Sequence, residues 1–330
     1  MASRFATLPD YIQGVTCEIW EGRQISSLHQ AYGKAMVARS TLGVMVGADD
    51  VINDTLASLA AFPDRQIYGD DVIWSGDEAA GYLSSHRSMI IGTHTGHGVF
   101  GPPTGRVVAA RCIADCYVKD DVIEDEWLCY DMAAMVRHLG HSPQSWARAS
   151  IALEGGPANA RRPFTPEIDL PGPYKARGND HPLGQRLADI LTRIMAKDVA
   201  VIGQQYDRAV HVCHPGDVTG WGIRFAEAQW LQFRTAFPDA GFQIDHQIGR
   251  ADPGQPDRAA VRWSLTGHHT GFGIYGAPTG APIHVMGFTH AEFGPFGKNG
   301  AGLRREFSLW DEVSIWKQIL LRHPDHSYQG

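Results

Sequence analysis

Long basic runs are missing from this 330-residue chain. Its 29 Lys and Arg are outnumbered by 36 Asp and Glu, a net charge of −7. No cluster of them could form a phosphate-tracking stripe, so nucleic acid is excluded as an expected partner. Also missing is any apolar run near the roughly 18 residues that a membrane span needs. The opening MASRFATLPDYIQGVTCEIW has no apolar core behind a basic start. A soluble, cytoplasmic protein without a membrane partner is the expectation. Cysteine is scarce: the five, at 17, 112, 116, 129 and 213, include no CxxC pair, which argues against a disulfide framework and a zinc knuckle. Disorder is excluded as well, because 43% of residues are hydrophobic and only 20% charged.

What the sequence does contain is itself, twice. Residues 92–105 read GTHTGHGVFGPPTG and residues 267–280 read GHHTGFGIYGAPTG, identical at nine of fourteen positions. The offset of 175 also aligns Ala61-Phe62-Pro63-Asp64 with Ala236-Phe237-Pro238-Asp239. Chance does not keep such a register, and a repeat of this length means one structural unit used twice. Further on, Glu126 and Asp131 meet Glu306 and Asp311 at an offset of 180. The five extra residues fall in FGPFGKNGAG, whose Gly and Asn content reads as a lengthened hairpin turn. The Pro- and Gly-rich stretch between the copies reads as an extended connector. The expected domains are therefore 1–150 and 182–330, joined by 151–181, as an intramolecular pseudo-dimer with homo-oligomers possible.

Each copy opens in helical pattern and closes in strand pattern, which predicts α+β units with helices on one face of an antiparallel sheet. In the first copy Asp49 or Asp50 is positioned to cap a helix with Ile52, Leu56, Leu59 and Ala60 as its stripe. In the second, a helix starts at Asp180-His181-Pro182 with Leu187, Ile190, Leu191 and Ile194 as its stripe, and another runs to Phe237. Alternation predicts strands over 86–94, 107–118 and 122–131, and over 260–269, 282–293 and 302–311.

AFPD, a strand ending in G-T-H-T-G, a P-T-G turn, and a last strand ending in an aromatic residue and Asp together resemble the SnoaL-like polyketide cyclase family of the nuclear-transport-factor-2-like superfamily. The resemblance covers roughly 60–140 and 235–320. It implies two tandem cystatin-like α+β cones, each a curved antiparallel sheet on N-terminal helices, with a side-chain-lined interior. It also implies acid/base chemistry on a small carbonyl or polyketide-like substrate without cofactor or metal: aldol-type ring closure, dehydration, isomerisation or hydrolysis. In the family an aspartate near the end of the last strand moves the proton, which points to Asp131 and Asp311. The family's strand arginine is kept as Arg111 and replaced by Met286 in the second copy.

The residues themselves allow the same chemistry. Alternation puts Ile123, Trp127, Cys129 and Asp131 on one face, and Leu303, Phe307, Leu309 and Asp311 on the equivalent face. A carboxylate ending an apolar row has its pKa raised by desolvation toward the working range of a proton shuttle. The alternative is an ordinary strand-end aspartate. His94 and His269 are repeat-equivalent and either contact substrate or brace the Gly-rich turn. Asp115 and His290 share one place on the penultimate strand, and His86, opposite Val261 in the repeat, would make the two interiors unequal. These, with Trp127, Arg111 and Phe307, complete the candidate binding set. Of the sixteen histidines, His94 with His97 and His268 with His269 are the nearest pairs, and neither has a further ligand at metal spacing. Gly96, Gly98 and Gly101 lie between strands, so they imply no dinucleotide site. The second reading from a different class is a binding protein whose cones hold an apolar small molecule.

Overall fold

A computed structural model describes residues 5–297 and 301–327. The chain divides into two compact units, Met1–Ser142 with Phe164–Ala176 and Pro143–Pro163 with Arg177–Gly330. The division is interleaved where the repeat suggests a linear one, because the stretch between the copies contributes to both units.

In the first unit, Thr7 accepts a hydrogen bond from the Asp10 N–H and starts helix α1 (Leu8–Trp20), with Pro9 in its first turn. The stripe Leu8, Tyr11, Ile12, Val15 and Ile19 is buried against the sheet. There follow α2 (Leu28–Ala31), β1 (Tyr32–Ser40), β2 (Gly43–Val46), α3 (Gly47–Ala61), β3 (Gln66–Asp77), β4 (Gly81–Thr93), β5 (Val107–Lys119), β6 (Val122–Tyr130) and α4 (Met132–His138). The strands lie in the order β2-β1-β6-β5-β4-β3. All neighbours run antiparallel except β1 and β6, which are parallel. The stripe expected for α3 is not its buried face: Leu56 is 49% exposed, whereas Ala48, Thr55 and Ala61 are buried. Asp50 accepts from the Val46 N–H one turn back, as a reach-back cap rather than the first residue of the helix.

The segment Phe164–Ala176 of this unit is bound, not free. Arg39 on β1 holds Asp125 of β6 at 2.9 Å and Asp169 at 2.5 Å, and the Tyr174 N–H donates to Asp125 Oδ2 at 2.8 Å. The Tyr174 ring lies 5.0 Å from that of Tyr117. A Pro- and Gly-rich stretch can therefore cover a sheet face when a buried Arg–Asp pair supplies the polar anchor that its own backbone lacks.

The second unit contains α5 (Pro143–Leu153), α6 (Pro182–Met195), α7 (Ala200–Gln205), β7 (Tyr206–His214), β8 (Val218–Trp221), α8 (Ile223–Ala236), β9 (Gly241–Arg250), β10 (Asp257–His268), β11 (Pro282–Phe293), β12 (Leu303–Trp310) and α9 (Glu312–Arg322). Its sheet order, β8-β7-β12-β11-β10-β9, repeats that of the first unit. His181, not Asp180, caps α6, accepting from the Leu183 N–H. The expected stripe of Leu187, Ile190, Leu191 and Ile194 is buried, and α8 ends at Ala236 with Phe237 as its cap. Of FGPFGKNGAG, residues 298–300 lie outside the described residues, and the stretch joins the antiparallel strands β11 and β12. Among the described residues no helix is long and apolar enough to cross a membrane.

Candidate active site

Which side chains enter the first unit's interior is decided by one extra residue. Along β5 and β6, Asp125 pairs with Tyr117 but Ile123 pairs with Val118, so Glu124 is a β-bulge. Alternation restarts after it. Ile123, Glu126, Leu128 and Tyr130 therefore share the inner face with Cys112, Ala114 and Cys116, while Trp127 and Cys129 turn to the other face. Arg304 repeats the bulge between β11 and β12.

The inner face encloses a cavity of about 90 Å³ roofed by α1 and α3. A second cavity of about 250 Å³, between α1, β3 and β4, shares Ile12, Thr16, Ile67, His86 and Ser88 as a common wall. Together they reach the lower end of the range usual for small-molecule sites, roughly 300 Å³. Most of the lining is apolar, and the polar groups are Thr16, Tyr32, Asp54, Thr55, His86, Ser88, Glu126 and Tyr130. Glu126 is 7% exposed. Tyr32 Oη donates to its Oε2 at 3.3 Å and Cys116 Sγ to its Oε1 at 3.7 Å. Both contacts are long for their kind, so burial outweighs them and raises the carboxyl to about 7. Burial also drives His86 down to about 4, leaving a neutral imidazole whose Nδ1 lies 3.3 Å from Ser84 Oγ. Tyr130 is held protonated by burial. A carboxyl that titrates near neutrality in a cavity also lined by a neutral imidazole and two phenols can take up or give a proton at a bound molecule.

The second unit keeps the carboxylate and loses the space. Tyr206 stands where Tyr32 does and donates to Glu306 Oε2 at 2.5 Å. Three further side chains complete the shell. Ser308 donates to Oε1 at 2.7 Å, His214 Nε2 lies 2.8 Å from Oε1, and the Trp230 indole donates to Oε2 at 3.3 Å. Burial works to raise Glu306, but these bonds prevail and hold it below the ordinary carboxylate value. The volume is taken by fully buried Trp230, Phe233 and Trp263 with Trp310. By the repeat offsets these replace Thr55, Ser58, Ser88 and Tyr130. The Trp263 ring lies over Gly287, where any Cβ would collide with the indole.

Of the residues singled out from the sequence, His86 alone lines the cavity. Asp131 is 1% exposed and caps α4, accepting from the Ala134 N–H at 3.0 Å, with Arg111 3.7 Å away. Asp311 caps α9, accepting from Val313 and Ser314 at 2.8 and 3.1 Å. Both aspartates expected to move a proton are thus helix caps. Arg111, Asp115 and Trp127 belong to the outer face of their sheet, and His290 pairs with Phe307 on the outer face of the other. Trp127 packs on the Arg39 guanidinium, 4.5 Å from its ring centre. His94 and His269 are fully buried braces: each Nδ1 meets the threonine of its P-T-G turn, Thr104 or Thr279, at 3.1 Å. Their backbone carbonyls accept from that turn's Thr and Gly N–H groups, which ties the Gly-rich loop shut. The residue missed is Glu126, although its repeat equivalence to Glu306 is visible in the sequence. Among the described residues, no group of three His, Cys, Asp or Glu is placed to hold a metal ion.

Two α+β sheets of one topology, each wrapped on N-terminal helices, define the class. The chain belongs to the SnoaL-like polyketide cyclase family, whose model matches it twice, over residues 11–139 and 185–319. No curated protein matches it. Among solved structures it is similar to wild-type IdmH from Streptomyces antibioticus, a candidate polyketide cyclase, at 23% identity over 40% of this chain and 98% of that one, with a TM-score of 0.36. The candidate hydroxylase AclR from Streptomyces galilaeus shares 18% identity over 41% and 98%, TM-score 0.35. A candidate SnoaL-like polyketide cyclase from Jannaschia sp. CCS1 shares 13% over 39% and 89%, TM-score 0.34.

Proposed function

We propose that the first unit is an acid/base enzyme for a small carbonyl compound of the polyketide-like kind its family name indicates, and that Glu126 moves the proton. The observation that carries this reading is the contrast between two equivalent carboxylates: Glu126, loosely held on an open cavity and raised to about 7, and Glu306, sealed by four polar partners. As the carboxylate, Glu126 removes a proton from a carbon next to a carbonyl; the C–H electron pair becomes an enolate and the proton stays on Glu126. In a ring closure the enolate carbon attacks a second carbonyl of the same molecule, and the alkoxide formed is protonated by the carboxylic acid. Tyr32, which shares Glu126 Oε2, restrains the carboxyl in one orientation throughout. The apolar walls of Ile12, Val15, Ile67 and Leu128 suit a compact hydrophobic body. The second unit, with its interior filled, takes no substrate in this reading.

The test is deuterium uptake at the α-carbon of a panel of β-keto esters and 1,3-dicarbonyls in D₂O. Wild type is expected to exchange its preferred compound with a rate that rises with pH through about 7, and Glu126→Gln to lose at least about a hundredfold of that rate. Exchange that survives in Glu126→Gln removes the assignment. No exchange by wild type on any compound leaves the binding-protein reading in its place.

A further inference from the structure

Arg65 follows AFPD in the first copy, where the second copy has Ala240. Its side chain is 4% exposed. The guanidinium carbon lies 4.1 Å from the Trp20 ring centre and 5.7 Å from that of Tyr130, and both rings line the cavity that holds Glu126. Its charge also acts on the thiol of Cys112, a third wall residue, opposing the burial that raises it to about 12. Of the three guanidinium nitrogens only Nη1 is engaged, donating to Ser58 Oγ. Nε and Nη2 are buried and have no partner.

Those two atoms are one edge of the guanidinium, the side-on fork whose parallel N–H bonds match two oxygens of a planar anion. A buried, always-charged group with that edge unmet carries a desolvation cost that an anion in the same plane offsets best, by charge as well as by two hydrogen bonds. Stacking on the wall rings fixes the plane of the guanidinium beside that wall. In the second unit the position is an alanine, and Trp230, Phe233 and Trp263 are fully buried in its interior, so the cation belongs to the copy whose cavity holds Glu126.

We infer that the Nε/Nη2 edge of Arg65 is the anion-binding subsite of the first unit's cavity, taking two coplanar oxygens that share a negative charge. Resting on the reading of Glu126 as the proton carrier, this narrows the substrate class to compounds that carry a carboxylate or become a 1,3-dicarbonyl enolate. In the second case the charge created when Glu126 takes the proton is received by the same fork.

The probes are benzoate, its uncharged isostere benzamide, and acetylacetone, titrated at pH 6 into wild type, Arg65→Gln, Arg65→Lys and Glu126→Gln. Benzoate is expected to bind wild type more tightly than benzamide does, to weaken roughly ten- to hundredfold in Arg65→Gln, and to weaken less in Arg65→Lys, which keeps the charge without the fork. Glu126→Gln is expected to bind benzoate as wild type does while failing to exchange deuterium, so failure of the proton-carrier reading and failure of this one are seen separately. If acetylacetone enolate absorbance appears at lower pH with wild type than with Arg65→Gln, the fork serves an enolate; if only benzoate responds to residue 65, it serves a carboxylate. Should Arg65→Gln not fold, the Arg65 Nε–H resonance of wild type is followed instead and is expected to shift on benzoate addition. Equal benzoate affinity with and without the guanidinium, no preference over benzamide, or an unmoved Nε–H resonance overturns the inference.

Discussion

Replacing Glu126 by Gln should change how the first unit's stability depends on pH, and the size follows from its surroundings. The carboxyl is buried and ionises at about 7 in the folded chain rather than at its ordinary value of 4.5. The folded state therefore holds this proton more tightly than the unfolded one. Its contribution is fully present below about 4.5 and is lost as pH rises through about 7, which at about 1.4 kcal/mol per unit amounts to about 3 kcal/mol. His86 acts in the opposite direction, since its folded value of about 4 lies below 6.5 and its contribution is lost as pH falls through that window. His86 is the same in both proteins, so the difference between wild type and Glu126→Gln isolates the carboxyl. Local stability is read from hydrogen exchange in peptides covering β5 and β6, corrected for the intrinsic pH dependence of exchange. Between pH 5 and pH 8 wild type should lose about a hundredfold of protection relative to the variant. Parallel curves for the two proteins would show that Glu126 ionises at an ordinary value, and the environment argument would fall with it.

The helix-capping assignment predicts that Asp131→Ala and Asp311→Ala each destabilise their own unit by about 0.5–2 kcal/mol in chemical denaturation. Asp131→Asn, whose side chain still caps, should keep both stability and deuterium exchange, whereas loss of exchange would return Asp131 to the chemistry. His214→Ala removes the imidazole 2.8 Å from a buried carboxylate and should cost the second unit about 3–5 kcal/mol. It should leave exchange by the first unit unchanged, and any loss there would mean that the second unit takes part in turnover.

The sequence reading was strongest where the physics is local and periodic. The strands 107–118 and 282–293 and the α6 stripe follow from alternation and helical spacing, and the duplication follows from identity at a constant offset. Strands β1, β2 and β3 and their counterparts β7, β8 and β9 escaped notice: their apolar residues are interrupted by bulges at Asp70 and between Tyr32 and Val37, which break the period-2 pattern. The faces of the last strand were read differently for a related reason. Counting alternation forward from Ile123 without the bulge at Glu124 turns Trp127 inward and Glu126 outward, the reverse of what the register shows. A bulge is set by pairing with a distant strand, so no count along one strand reveals it. Arg65 was equally hidden, because one residue differing between AFPDR and AFPDA carries no period.

The two copies also separate burial from bonding as causes of a carboxyl's acidity. Both glutamates are buried after the same bulge, and both accept from a tyrosine in the same place on the parallel strand. Desolvation pushes both upward. What reverses the direction in Glu306 is the added shell: by the repeat offsets Thr55 becomes Trp230 and Leu128 becomes Ser308, and by the matching register of β1 and β7 Ser40 becomes His214. The same replacements, with Ser88 becoming Trp263, fill the space that a substrate would need. Acidity and access are therefore coupled in this fold. The side chains close enough to satisfy the inner carboxylate are the ones that close the cone, so a copy with a proton-transfer group near neutrality must also keep its cavity open.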